Sequence, residues 1–404
     1  MTAERICIIT ETFAPEVNGV ANTLSHLVKG MLSQGIQVLV IRPRQHKNDL
    51  GNTSDAFQTV TLPGLPIPGY DQLKFGLPNK NKLKSALQDF APDAIYIATE
   101  GPMGYTANRV AKQLNIPVLS GFHTNFHQYI EHYHLGAFEN LAYRYLRHFH
   151  NQTAGTLVPT NNQKSALEQY GFDNVSVLSR GVDSQLFSPS KRCEQLRAEW
   201  GLKEDDIALI YVGRIASEKN IQLALSAYQE LKEDEPNLKF VLVGDGPLLN
   251  SIRQQHRDVI ICGMQTGEAL AKHYASGDIF LFPSKTDTFG NVVTEAMASG
   301  LAVVSFNYAA ASEHIKHGVN GMVCDLNNDQ QFADQVATLL DRPHLLKDIK
   351  HNAFSHSLTI SWHAIVENFT GLISSLKKSS AEPKSLANTP FNQEGRNGKS
   401  QLSV

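Results

Sequence analysis

The stretch FPSKTDTFGNVVTEAMASGLAVVS, residues 282–305, leaves one apolar run, IFLFPS, passes a turn and a helical segment, and enters another run, AVVSF. Strand, helix and strand in that order mark a βαβ unit on a parallel sheet. Within it Asp287 and Glu295 stand eight positions apart, with Phe289-Gly290-Asn291-Val292 between them. A helix beginning near Gly290 points its free N–H groups back toward Asp287, and such a helix end suits a phosphate. Glu295, over one turn in, reaches a neighbouring group such as ribose hydroxyls. The plainer alternative makes Asp287 a capping acid and Glu295 a surface residue. It leaves Gly290 beside a phenylalanine, and the small residues Ala296, Ala298, Ser299 and Gly300, without a reason.

The same alternation extends in both directions. Strand-like runs recur as IALIYVG, KFVLVG, VIICG and GMVCD around this unit, and as RICIIT, QVLVIRP, FQTVTLP, AIYIAT, PVLSGFH and GTLVPT in the first half. Helical segments such as Ser165–Tyr170, Leu223–Lys232 and Val293–Ala298 lie between them. The pattern predicts an α/β protein of two doubly wound domains. Residues 1–184 form the first and 185–360 the second. Residues 361–377 form a helix expected to pack back on the first domain, and 378–404 a disordered tail poor in apolar residues.

Composition narrows the function. The chain has 404 residues, too many for one ordinary core, and a net charge of −3, which excludes a global field for nucleic acid. Cys7, Cys193, Cys262 and Cys324 are dispersed, with no CxxC pair, so a reducing cytosol fits better than a disulfide framework or zinc site. The N-terminal apolar run is short and meets Glu11 at once, unlike a signal peptide. No apolar run is long enough to span a bilayer. Cytoplasmic location follows, with attachment to the inner membrane face as the remaining option.

Two further stretches of the second half join the first. In YVGRIASEKN, Arg214 and Lys219 follow a strand that ends at Gly213. Two cations at a strand's carboxyl edge can neutralise a diphosphate, though a surface pair with Glu218 would use the same residues. In VLVGDGPL the run Gly244–Pro247 reads as a mainly structural turn into a helix. Together GR-x-x-x-x-K, GDGP and Asp-x7-Glu followed by AMASG resemble the retaining glycosyltransferases of family 4, which have the two-domain GT-B fold. The resemblance covers about residues 5–370.

That resemblance implies a nucleotide-diphosphate sugar, with GDP or UDP as carrier, held in an interdomain cleft. It assigns Arg214 and Lys219 to the diphosphate, the Phe289–Val292 segment with its Gly290, Asn291 and Val292 backbone to phosphate, and Glu295 to the ribose. Asp287 would meet the sugar hydroxyls, where relatives usually carry Glu. Met264, in VIICGM, marks the place where the base is held. No metal or other cofactor is implied. The loop NYAAASEHI, residues 307–315, has alanines where many relatives have two glycines, and Glu313 keeps its place.

In the first half, TETFAPEVNGV joins strand and helix by a loop longer than the connection needs. The resemblance puts Gly19 opposite the donor phosphates, where a Cβ would hold the donor off; an ordinary N-cap is the alternative. In SGFHTNFHQYIEHYHLGAFENLAYRYLRHFH, residues 120–150, His123 ends a strand and is implied to hydrogen-bond the donor sugar or phosphate. His123 with His127, four apart, and His132 with His134, two apart, raise a metal site, which the absence of HExxH and of a nearby Asp or Cys partner argues against. The aromatic and basic side chains there suit an acceptor groove or lipid headgroups. Arg180, in LSRGVD where most of the family reads NGVD, resembles the glycolipid branch that makes mannosyl- and sulfoquinovosyl-diacylglycerol, and Asp183 would lie at the hinge. The function expected is hexosyl transfer to an acceptor hydroxyl, a membrane lipid or a glycan. The alternatives are a nucleotide-sugar epimerase on the same fold and a non-catalytic nucleotide-sugar-binding regulator.

Overall fold

The computed structural model describes residues 4–381 apart from 17, 47, 48, 50, 52, 53, 68, 69, 124–135, 205 and 288. Strands β1 (Arg5–Ile9), β2 (Gln37–Pro43) and β3 (Phe57–Leu62) precede an antiparallel hairpin, β4 (Gly64–Ile67) and β5 (Tyr70–Gly76). Then come β6 (Ala94–Ile97), β7 (Val118–Gly121), β8 (Gly155–Val158) and β9 (Val175–Val177). The second half holds β10 (Ala208–Val212), β11 (Lys239–Val243), β12 (Ile260–Gly263), β13 (Ile279–Phe282), β14 (Ala302–Phe306) and β15 (Met322–Cys324). Their orders are β3-β2-β1-β6-β7-β8-β9 and β12-β11-β10-β13-β14-β15, parallel throughout. Each sheet therefore reverses its winding once, between β1 and β6 and between β10 and β13. Ligands of such sheets bind at the carboxyl ends beside that reversal.

The strands form because both faces are covered. All five residues of β10 are buried; Leu209 and Tyr211 enter one core while Ala208, Ile210 and Val212 enter the other. This is the period of two expected of a strand between two helical layers. The hairpin β4–β5 is absent from the sequence reading. Gly64, Pro66 and Gly76 break its apolar pattern, and its two-stranded pairing is an edge feature that tolerates proline.

The helix Trp362–Ala381 returns to the first domain, where Ile365, Val366, Phe369 and Ile373 join Ile6, Ile8, Leu24 and Tyr96 in one core. It runs four residues past Lys377, where the expected tail begins; residues 382–404 lie outside the described residues. Its approach to the helix Gly19–Ser33 depends on Gly30, whose added Cβ would come within 2.4 Å of Val366. The two passages between domains lie side by side. Val182 N–H donates to the Ile360 carbonyl at 3.0 Å, and a Cβ on Gly181 would fall 2.7 Å from the Trp362 Cα.

Candidate active site

Residues that follow β1, β6, β7 and β13 line a cavity of about 990 Å³ between the two sheets. Two helices start at it. On one side the helix Gly19–Ser33 is capped by Asn18, whose side chain accepts from the N–H groups of Val20 and Ala21 at 3.1 and 2.9 Å. Asn18 in turn donates to Thr12 Oγ1 at 2.6 Å, and Thr12 donates to Glu16. The long loop thus braces its own helix cap. Gly19 lines the cavity, and a Cβ there would stand 3.3 Å from Nη1 of Arg180.

On the other side the helix Asn291–Ala298 begins after Gly290, whose φ of +82° lies in the left-handed region that favours glycine. Phe289, Gly290, Asn291 and Val292 line the cavity with Asp287. Both helix N-termini present partial positive charge to one space, an arrangement that favours an anion.

Neither predicted cation lines the cavity, and their partners differ. Lys219 Nζ lies 2.7 Å from Asp287 Oδ1, joining the turn after β10 to the turn after β13. Arg214 pairs with Glu218 at 3.0 Å, is 66% exposed, and does not line the cavity, so the surface pair weighed from sequence is the one present. Glu295 sits on the far side of its helix, where it accepts from the Tyr274 hydroxyl at 2.9 Å. There it lines a smaller cavity of about 180 Å³ with His26 and Asp183, and burial pushes its carboxyl up to about 7. Met264 is 66% exposed and lines neither cavity. Gly244 and Gly246 pack on backbone: a Cβ would meet the carbonyls of Gly213 at 1.9 Å and of Ile215 at 2.3 Å. Glu313 reaches across the domains, accepting from Asn161 Nδ2 at 2.9 Å.

The first-domain wall contains His123, whose Nε2 is 2.8 Å from the Tyr96 hydroxyl. Burial, then the nearby Arg180, holds its pKa down to about 3, so the ring is neutral at pH 7, and Nδ1 is enclosed without a hydrogen-bond partner. Glu11, in the loop after β1, accepts from the Gly76 N–H, and burial pushes its carboxyl up to about 7. Phe75, Ala142, Tyr145 and Leu146 make an apolar flank. Sequence reading missed Glu11 and Phe75 as site residues and treated Arg180 only as a branch marker; its replacement of the usual Asn was the available signal. His127, His132 and His134 lie outside the described residues. Among the described residues no group of three or more His, Cys, Asp or Glu is placed to hold a metal.

Comparison with known proteins follows the same division. Residues 17–186 match the model described as "Glycosyltransferase Family 4", and residues 193–356 that of "Glycosyl transferases group 1". A GDP-mannose-dependent alpha-mannosyltransferase of Corynebacterium glutamicum is 31% identical over 324 residues, covering 80% of this chain and 77% of that protein. An alpha-monoglucosyldiacylglycerol synthase of Streptococcus pneumoniae is 26% identical, covering 74% and 70%. Among solved structures, Anabaena HepE in complex with UDP superposes with a TM-score of 0.72 at 19% identity, over 92% of this chain and all of that one. The epimerase and non-catalytic alternatives find no counterpart among these. The fold is GT-B, and the chain, a glycosyltransferase, belongs to family 4.

Proposed function

We propose that the cleft holds a nucleotide-diphosphate hexose and transfers its sugar, with retention, to a hydroxyl of a membrane glycolipid or diacylglycerol. The observation that carries this reading is the convergence of two helix N-termini and Asp287, which is paired with Lys219, on one cavity with an apolar flank. The Gly290–Val292 amides and Gly19 face the diphosphate. Lys219 exchanges Asp287 for phosphate, and Asp287 turns to the sugar hydroxyls. Arg214 must likewise leave Glu218 to take part, and Glu295 serves the ribose from the adjoining cavity. His123 is neutral and lines the cavity, and a small turn of its ring would uncover the unpartnered Nδ1 for one hydrogen bond to the sugar.

In the transfer the bond from the anomeric carbon to the diphosphate oxygen breaks. The acceptor oxygen bonds that carbon on the same face, and its proton passes to the departing phosphate. Positive charge and amide dipoles aimed at that oxygen carry the electrostatic stabilisation. This scheme uses no metal.

The names of the relatives support GDP-mannose as the first donor to try and a diacylglycerol-based lipid as the acceptor class. The apolar flank of Phe75, Ala142 and Leu146 supports the lipid part. No helix among the described residues is long and apolar enough to cross a membrane, and we place the enzyme on the cytoplasmic membrane face. The test is a screen of GDP- and UDP-hexoses against membrane lipid extracts, scored by product mass. A new hexosyl-lipid from one donor is expected. Hydrolysis alone, or no product from any pair, would overturn the reading.

A further inference from the structure

Arg180 lies between the two helix ends and belongs to none of the motifs that carry the donor reading. Its side chain is buried, 6% exposed, yet it lines the main cavity. Other buried arginines of this protein, though their Nε atoms are likewise unpartnered, have a carboxylate on the guanidinium fork. Arg197 donates to Asp278 and to the Ser276 carbonyl, both at 2.9 Å, and Arg42 forks onto Asp49 at 2.6 and 2.9 Å. Arg180 has no ion pair or hydrogen bond among the described residues, and its Nε is enclosed without a partner. Its neighbours include the Phe289 ring, 5.4 Å from Cζ, and Gly19, with Tyr96 and His123 within electrostatic reach. The carboxylate acting on it from a distance, Asp287, is already bound to Lys219.

A buried guanidinium without a counter-charge costs several kcal/mol. Here it also faces two positive helix ends, the fifteen-residue helix from Gly19 and the eight-residue helix from Asn291. An anion that joins such a set offsets that cost. We infer that Arg180 is a third cation for the donor diphosphate, contributed by the first domain and gripping the phosphates from the side opposite Lys219. The inference rests on the cleft being the donor site. It makes the diphosphate a bridge across the domain junction, because Arg180 immediately precedes the crossing at Gly181 and Val182.

The test is calorimetric titration of GDP, UDP and the matching nucleosides into the full chain, wild type against Arg180→Met and Arg180→Lys. Arg180→Met is expected to weaken diphosphate binding about 10- to 100-fold while leaving nucleoside binding unchanged, with Arg180→Lys between. If the wild type binds neither nucleotide, the donor-site reading itself fails. If it binds and Arg180→Met binds equally well, the Arg180 assignment alone fails. It fails too if Arg180→Met keeps diphosphate affinity but raises the acceptor KM, since the anion is then the acceptor's. Should Arg180→Met not fold, Arg180→Lys and Arg180→Gln read the same ratio of diphosphate to nucleoside affinity.

Discussion

On the second-domain side, Asp287 of the cleft wall holds Lys219 while Arg214, outside the cavity, rests on Glu218, so each cation already has an acid. On the first-domain wall Arg180 has none, His123 keeps an unused ring nitrogen, and Phe75, Ala142 and Leu146 are apolar. On the proposed function the second wall exchanges partners to bind a donor, whereas the first is set in place beforehand. On that proposal a donor's charge is received by two different routes. Preorganisation on one side offsets reorganisation on the other.

The largest expected effect concerns what holds the first wall. Phe369→Ala should remove about 3–5 kcal/mol of stability, read by urea denaturation, because Phe369 is fully buried where the returning helix meets the first domain. A loss below 1 kcal/mol would mean that the first wall stands without that helix. Next, Lys219→Ala should lower kcat about 100- to 1,000-fold with an unchanged circular dichroism spectrum. Activity within a few-fold of wild type would move the phosphate side away from Asp287.

A smaller effect is expected from Glu295→Gln, and its sign follows from burial. The folded carboxyl titrates near 7 instead of 4.5, so the protonated form is favoured by folding. That contribution is complete below about pH 4.5 and is lost as pH rises through about 7. The Gln variant lacks the loss, so between pH 5 and 8 its Tm should gain about 2–4 °C on wild type. Parallel curves would place the carboxyl in water. The smallest effect belongs to Glu218→Gln. The exposed Arg214–Glu218 pair is worth about 0–1 kcal/mol, so stability should barely change. Donor KM should fall by no more than about five-fold as Arg214 is freed; a large rise in KM would show that Glu218 itself meets the donor.

The sheets were legible because a strand covered on both faces is an unbroken apolar run, as in IALIYVG and AVVSF. The helix start at Gly290 was legible because an acid, a glycine and small residues recur there at helical spacing. The hairpin was not, since Pro66 and the flanking glycines erase its alternation. Arg214 reads from sequence as a phosphate ligand with a surface pair as the alternative, and local pattern has no means to choose between them.

By itself the sequence determined the α/β class, the two domains and the helix starts near Gly19 and Gly290, all of which arise from local periodicity and backbone polarity. The tertiary structure alone decided which charges have an ion-pair partner and which, among the described residues, have none. Lys219 meets Asp287 across 68 positions, Arg180 lies against Phe289 from another domain, and Glu295 turns toward Tyr274. Such pairings depend on how distant segments pack, and charge in a buried cleft is governed by that packing and not by its neighbours in the chain.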